Sequence, residues 1–120
     1  MKLWCNNKSN IYILNFIGDL IMYVSIRKYD DVYDFSSISK KLTESFAPKL
    51  YEINGFVRYC IVDIVNDSLL SIPTLENKRG MEESESLAKD WRDNHPEGHM
   101  GNPTHIFHGE EKMWVLRKSS

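Results

Sequence analysis

The sequence has little of what usually announces a chemistry. Cys5 and Cys60 are its only cysteines, so neither a disulfide framework nor a paired-cysteine metal site is implied. Four prolines and six glycines are too few for a low-complexity chain, and no glycine-rich phosphate loop or nucleophile elbow is present. The net charge is −2 and no basic block stands out, which leaves no electrostatic footprint for nucleic acid. The longest apolar stretch, 11–24, is interrupted by Asn15, Gly18 and Asp19 and is too short to span a bilayer. Together these absences lead to the expectation of a cytoplasmic protein without nucleic-acid or membrane partners.

What is present reads as one globular domain. A 120-residue chain that is 42% hydrophobic buries a modest core, and an oligomer would help it. Residues 1–21 read differently from the rest. Lys2 and Lys8 precede the apolar run 11–17 in loose imitation of a signal peptide, but Gly18-Asp19-Leu20 is a poor cleavage site. Codons for Gly18-Asp19 can spell a ribosome-binding core just upstream of Met22. The expectation is a leader at 1–21, outside the domain, with Met22 the true start in a bacterial gene and the domain at 22–118.

From Met22 the periodicities follow the order β-α-β-β-α-β. Residues 23–29 alternate as a strand, with Val24 and Ile26 expected toward the helices and Tyr23, Ser25, Arg27 and Tyr29 on the open face. Asp34 or Ser36 can cap a first helix whose stripe is Ile38, Leu42, Phe46, Leu50 and Ile53. Pro48 should kink or split it, and Asn54-Gly55 should end it. Strands at 56–64 and 69–72 flank a turn at Asn66-Asp67-Ser68, with a bulge or strand end expected at Pro73. Met81, Leu87, Ala88 and Trp91 form the inner face of a second helix that stops before Pro96. A loop follows, and 112–117 gives the last strand. The pattern predicts an α+β, ferredoxin-like fold, an antiparallel sheet with both helices on one face. The bare face needs a cover, and a homodimer is expected there, with Tyr23, Tyr59 and Trp114 on that face.

Few side chains point to chemistry. Arg27 with Tyr23, Tyr29 and Tyr59 is the best polar-aromatic set for a cavity, because a buried Arg is costly unless it finds an anionic partner. The plain alternative for Arg27 is a salt bridge across a dimer interface. Trp91 lies on the apolar helix face, as core or as a wall against an aromatic ligand. His95, His99, His105 and His108 cluster, but their spacing fits no metal signature and Pro96 and Pro103 mark a loop. No metal is expected, and a general-base role for one His toward a bound phenol is the other reading. Cys60 reads as a buried, inert thiol.

At this point several segments resemble a known family. They are MYVSIR from Met22, FAPKLYEI from Phe46, the NGF turn at Asn54, and EES from Glu82 ahead of Trp91. Over about 22–117 they resemble the antibiotic biosynthesis monooxygenase domains. The resemblance implies a dimeric α+β barrel with a cavity between sheet and helices. Some members oxidise polycyclic phenols with dioxygen and neither metal nor flavin; others degrade haem. The haem-degrading members carry a Trp at the end of the third strand and a His on the second helix, where this chain has Leu75 and Ser84, and their strand-one Asn has no match. The function expected from the resemblance is a cofactor-independent monooxygenase acting on an aromatic or quinone-type small molecule. Arg27 and Tyr59 would be catalytic, Tyr23, Tyr29 and Trp91 would contact the ligand, and haem breakdown is not expected. The rival is a non-catalytic dimeric barrel that binds a ligand or serves as an accessory module.

Overall fold

A computed structural model describes residues 2–6, 11–15, 21–95 and 100–117, with 2–6, 11–15 and 113–117 described as backbone. Strands β1 (Lys2–Asn6) and β2 (Ile11–Asn15) come first, then β3 (Met22–Tyr29), α1 (Phe35–Lys41), a π-helical turn (Leu42–Phe46) and α2 (Ala47–Tyr51). They are followed by β4 (Phe56–Ile64), β5 (Ser68–Leu75), α3 (Lys78–Asn94), β6 (His105–Glu111) and β7 (Met113–Arg117). An antiparallel sheet in the order β4-β5-β3-β6 carries the helices, which is the ferredoxin-like arrangement. The segment 1–21 supplies β1 and β2, which pair with each other and with β7 in a separate three-stranded sheet.

Local chemistry explains the elements. The Asp34 carboxylate accepts from the Ser37 N–H at 3.1 Å and caps α1. The whole stripe from Ile38 to Ile53 is buried, with Leu50 fully inaccessible. Pro48 has no N–H, and its ring crowds the carbonyl four residues back. The helix therefore widens by one residue, and the Ala47 N–H reaches the Leu42 carbonyl. The split expected at Pro48 is thus α1, a π turn and α2. Asn66 (φ 73°) and Asp67 (φ 61°) turn the β4–β5 hairpin in the left-handed region. Gly55 has φ +90°, and a Cβ there would meet Asn77 Nδ2 at 2.8 Å. Asn77 is itself engaged, since its Oδ1 accepts from the Gly80 N–H at 2.7 Å to cap α3.

The structure corrects four expectations. The last strand of the main sheet is β6, which had read as loop; 112–117 does not fill that place, and β7 belongs to the other sheet. Strand β6 has exposed polar and apolar residues on both faces, as an edge strand is free to have, so it carries no alternation signal. The faces of β3 are reversed as well. Ser25, Arg27 and Tyr29 point under the helices, whereas Val24 and Ile26 stand partly exposed on the helix-free side. Tyr59 also lies under the helices, its ring edge-on to Phe46 with centroids 5.6 Å apart, so it does not belong to the open face. Cys60 is an exposed thiol, not a buried one, because its place in β4 faces away from the helices. The side chain of Trp114 lies outside the described residues. Strand β5 runs through Pro73, and the cost shows in its neighbours. Pairing with β3 keeps one register but is interrupted between Val24↔Thr74 and Arg27↔Ser71, and β4 shifts register between Phe56 and Arg58.

Candidate functional site

Arg27 sits in the middle of β3 with Ser71 of β5 and Ile106 of β6 as cross-strand neighbours. It is 2% exposed, and among the described residues its Nε, Nη1 and Nη2 have no hydrogen-bond partner. A guanidinium offers five donors, and leaving a buried charge unpaired costs several kcal/mol. Such a group is a candidate binding point for an anion.

The residues around it are aromatic and polar. Tyr59 Oη and Ser71 Oγ share a hydrogen bond of 2.7 Å. Burial pushes the Tyr59 hydroxyl up to about 12, against the opposing pull of the Ser71 hydrogen bond and of the Arg27 charge. At neutral pH Tyr59 is therefore a neutral phenol, a donor or acceptor but not a base. Arg92 Nη1 donates to Tyr29 Oη at 2.8 Å, and its guanidinium lies 5.6 Å from the centre of the Tyr29 ring. Trp91 is 1% exposed and donates through Nε1 to Ser45 Oγ at 2.8 Å, which ties α3 to the π turn. Tyr29, Tyr59, Ser71 and Trp91 share an interior cavity of about 10 Å³, room for a single water.

Of the five residues expected from sequence, Tyr29, Tyr59 and Trp91 line this cavity. Arg27 lies beside it under the same helices. Tyr23 does not join them. It lines an outer cleft of about 510 Å³ with Lys78, Met81, His108, Gly109 and Glu110. Leu75 ends β5 and Ser84 faces inward on α3, both fully buried, and Ser84 Oγ donates to the Met81 carbonyl at 2.6 Å.

His108 of the cleft belongs to a cluster that sequence reasoning missed. Glu85 Oε1 accepts from Ser25 Oγ at 3.2 Å and contacts His108 Nε2. Only a strand reading of 105–111 would have found it, since His108 is placed opposite Ser25 by the β3–β6 register. The histidines otherwise disperse. His95 ends α3 and stacks on Trp91 at 4.7 Å, His105 stacks on Phe107 at 6.0 Å, and His99 lies outside the described residues. Among the described residues no three His, Cys, Asp or Glu side chains converge as a metal site, and no helix is long and apolar enough to cross a membrane.

No family model and no curated protein matches the sequence. Solved structures do match its fold. One is a protein described as an antibiotic biosynthesis monooxygenase from Chloroflexus aurantiacus, 13% identical over 75% of this chain and 92% of that one, with a TM-score of 0.55. Another is the monooxygenase from the gene ActVA-Orf6 of Streptomyces coelicolor in complex with nanaomycin D, 7% identical over 78% and 86%, with a TM-score of 0.50. A nipsnap family protein of unknown function from Agrobacterium tumefaciens is 14% identical over 82% and 93%, with a TM-score of 0.52. The chain has the fold of the antibiotic biosynthesis monooxygenase domains. Likeness at this identity is one of fold, and function must be argued from the site.

Proposed function

We propose that residues 22–118 form a small-molecule site between the sheet and α3 that takes an aromatic phenol or quinone-type ligand as its anion. Oxidation of that ligand by dioxygen, with no metal or flavin, is the reaction in this reading. The observation that carries it is Arg27, a buried guanidinium whose nitrogens have no hydrogen-bond partner among the described residues. A phenolate there would supply the missing charge, and Arg27 would hold it with preformed donors. Trp91 and Tyr29 would wall the ring, and Tyr59 would offer a neutral hydroxyl. An ionised phenol is electron-rich enough to react with dioxygen, so the protein need only bind, orient and stabilise the anion. The monooxygenase from Streptomyces coelicolor, which shares the fold and is solved with nanaomycin D, supports the choice of ligand class. The unit in this reading is a homodimer closed through the helix-free face, and its setting is the cytoplasm.

The interior of about 10 Å³ favours a second reading, a non-catalytic binding protein that opens only for its ligand. One experiment separates the two. A panel of phenols, hydroquinones and carboxylates is screened by thermal shift, and oxygen uptake is followed for each binder. A binder that raises the melting temperature of the wild type and not of Arg27→Met supports the site. Oxygen uptake lost at least about tenfold in Arg27→Met, the scale of a lost anion-stabilising donor, supports the enzyme. Binding without oxygen uptake supports the carrier. Haem should survive reductant and oxygen in the presence of the protein, since Leu75 and Ser84 offer no iron ligand.

A further inference from the structure

The outer cleft and the buried arginine lie on one face of two adjacent strands. His108 is opposite Ser25, and Ile106 is opposite Arg27. His108 and Arg27 are therefore diagonal cross-strand neighbours, with Cα atoms about 7–8 Å apart in such pairs. Glu85 of α3 accepts from Ser25, two residues before Arg27 in β3, and is in contact with His108 at the cleft. Ser25 is fully buried and His108 is half exposed, so the cluster runs from the interior to the mouth of the cleft.

The bonding order matters. Ser25 donates to the carboxylate and not to the imidazole, so this is no nucleophilic triad. In a neutral His108 the contact of Nε2 with Glu85 favours a proton on that nitrogen, which would leave Nδ1 as the acceptor. The other charged groups at the cleft are Lys78 and Glu110, and Glu110 is already paired with Lys112 at 2.6 Å. Tyr23 is the remaining titratable group there.

We propose that His108, held by Glu85, is the proton acceptor for a phenolic ligand whose oxygen rests against Arg27. The O–H bond of the phenol breaks, an Nδ1–H bond forms, and the electron pair stays on the phenol oxygen. The imidazolium is then stabilised by the Glu85 carboxylate and the phenolate by Arg27. No electron is exchanged in this step. Glu85 is a positioning residue and His108 the group that meets the ligand. The inference rests on the phenol-site reading above and adds the base that reading lacks.

The probe is 4-nitrophenol, whose two protonation states absorb differently. Wild-type protein is titrated with it across a pH series in which the free probe is mostly neutral. The bound probe should be ionised in the wild type. His108→Gln should still bind it but show about tenfold less phenolate, one pKa unit of lost proton affinity. Glu85→Gln should shift the midpoint of ionisation to higher pH without abolishing binding. His108 lies on an exposed edge strand, so its variant should fold; an unchanged melting curve would check this. As a second readout, the ¹⁵N shift of His108 Nδ1 in labelled protein should move to the protonated value on binding. Equal ionisation by wild type and His108→Gln overturns the proposal, as does a bound probe that stays neutral in the wild type. Failure of the wild type to bind any probe overturns the site reading as well, and the two failures are thereby distinct.

Discussion

Under the helices, strand β3 contributes Ser25, Arg27 and Tyr29, each at most 2% exposed; on the opposite side it contributes Val24, Ile26 and Lys28, all partly exposed. The neighbouring strands repeat the contrast. Ser71 and Tyr59 are turned inward, while Leu70, Ile72 and Phe107 lie in register with the outward residues. A one-layer sheet that served only its own core would be loaded the other way. Polar groups held inside, one of them an unpaired charge, are expensive and point to a ligand. Apolar groups left partly exposed on the outer side are what association would cover. In the proposed reading the two faces divide the work, with the ligand beneath the helices and association on the helix-free side.

The contrast breaks most visibly at Trp91, which belongs to the inner face yet serves packing. Trp91→Ala should cost about 3–5 kcal/mol in urea denaturation, the range for a large buried ring. Ser45→Ala, which removes only the Nε1 acceptor, should cost about 1 kcal/mol. Equal small losses would show that Trp91 is a mobile wall of the cavity and not a beam of the core.

The inner face also sets a pH limit. Tyr59 rises from its usual value of 10 to about 12 in the folded chain. Below pH 10 both states keep the proton and the contribution to stability is complete. Between about 10 and 12 the unfolded chain ionises first, so stability falls as pH rises, by about 2–3 kcal/mol in all. Tyr59→Phe should flatten that alkaline limb, at a cost near neutrality of about 1 kcal/mol for the lost Ser71 hydrogen bond. A limb unchanged in Tyr59→Phe would assign it to another group.

How much of this was legible from residues alone depended on the period of each element. The helical stripe from Ile38 to Ile53 shows itself because a period near four leaves one face no alternative to burial. In β3 a period of two says which residues share a face, but not which face is inward. The aliphatic pair Val24 and Ile26 argued for the wrong side because hydrophobicity outweighed the need of Arg27 for shelter. Strand β6 was invisible: Gly109 and residues exposed on both faces give no alternation, and its pairing with β3 is long-range. The Ser25–Glu85–His108 cluster depends on that pairing, so it was out of reach too. Arg27, Tyr29, Tyr59 and Trp91 could be picked out because large polar aromatics and a lone Arg amid β-branched residues are costly to bury without purpose.

The outer face can be tested by charge. Ile26→Lys places an ammonium at the centre of the bare sheet while leaving the helices untouched. In the homodimer reading it should weaken association by about 2 kcal/mol or more, roughly 30-fold in dissociation constant. Light scattering should then report a monomer at micromolar concentration with the helical signal intact. A wild-type monomer under the same conditions would remove the assembly role from this face.

The smallest effect has the opposite sign and bears most directly on the contrast. The Arg27 guanidinium has no hydrogen-bond partner among the described residues, so deleting its charged head breaks no hydrogen bond there. Arg27→Met keeps the length of the stem and fills the same space with apolar atoms. Replacement of buried ionic groups by well-packed apolar ones is often neutral or stabilising by about 1–4 kcal/mol. The expectation here is the low end, about 1–2 kcal/mol and a melting temperature higher by several degrees, because the cavity beside Tyr59 has room for a single water. The gain should coincide with loss of phenol binding, a trade of stability for function at a single residue. Saturating ligand should also stabilise the wild type and not the variant, so the order of melting temperatures should invert once ligand is added. A variant less stable by 3 kcal/mol or more would mean that the guanidinium is paired in solution. The inner face would then be a satisfied polar core with no vacancy for an anion.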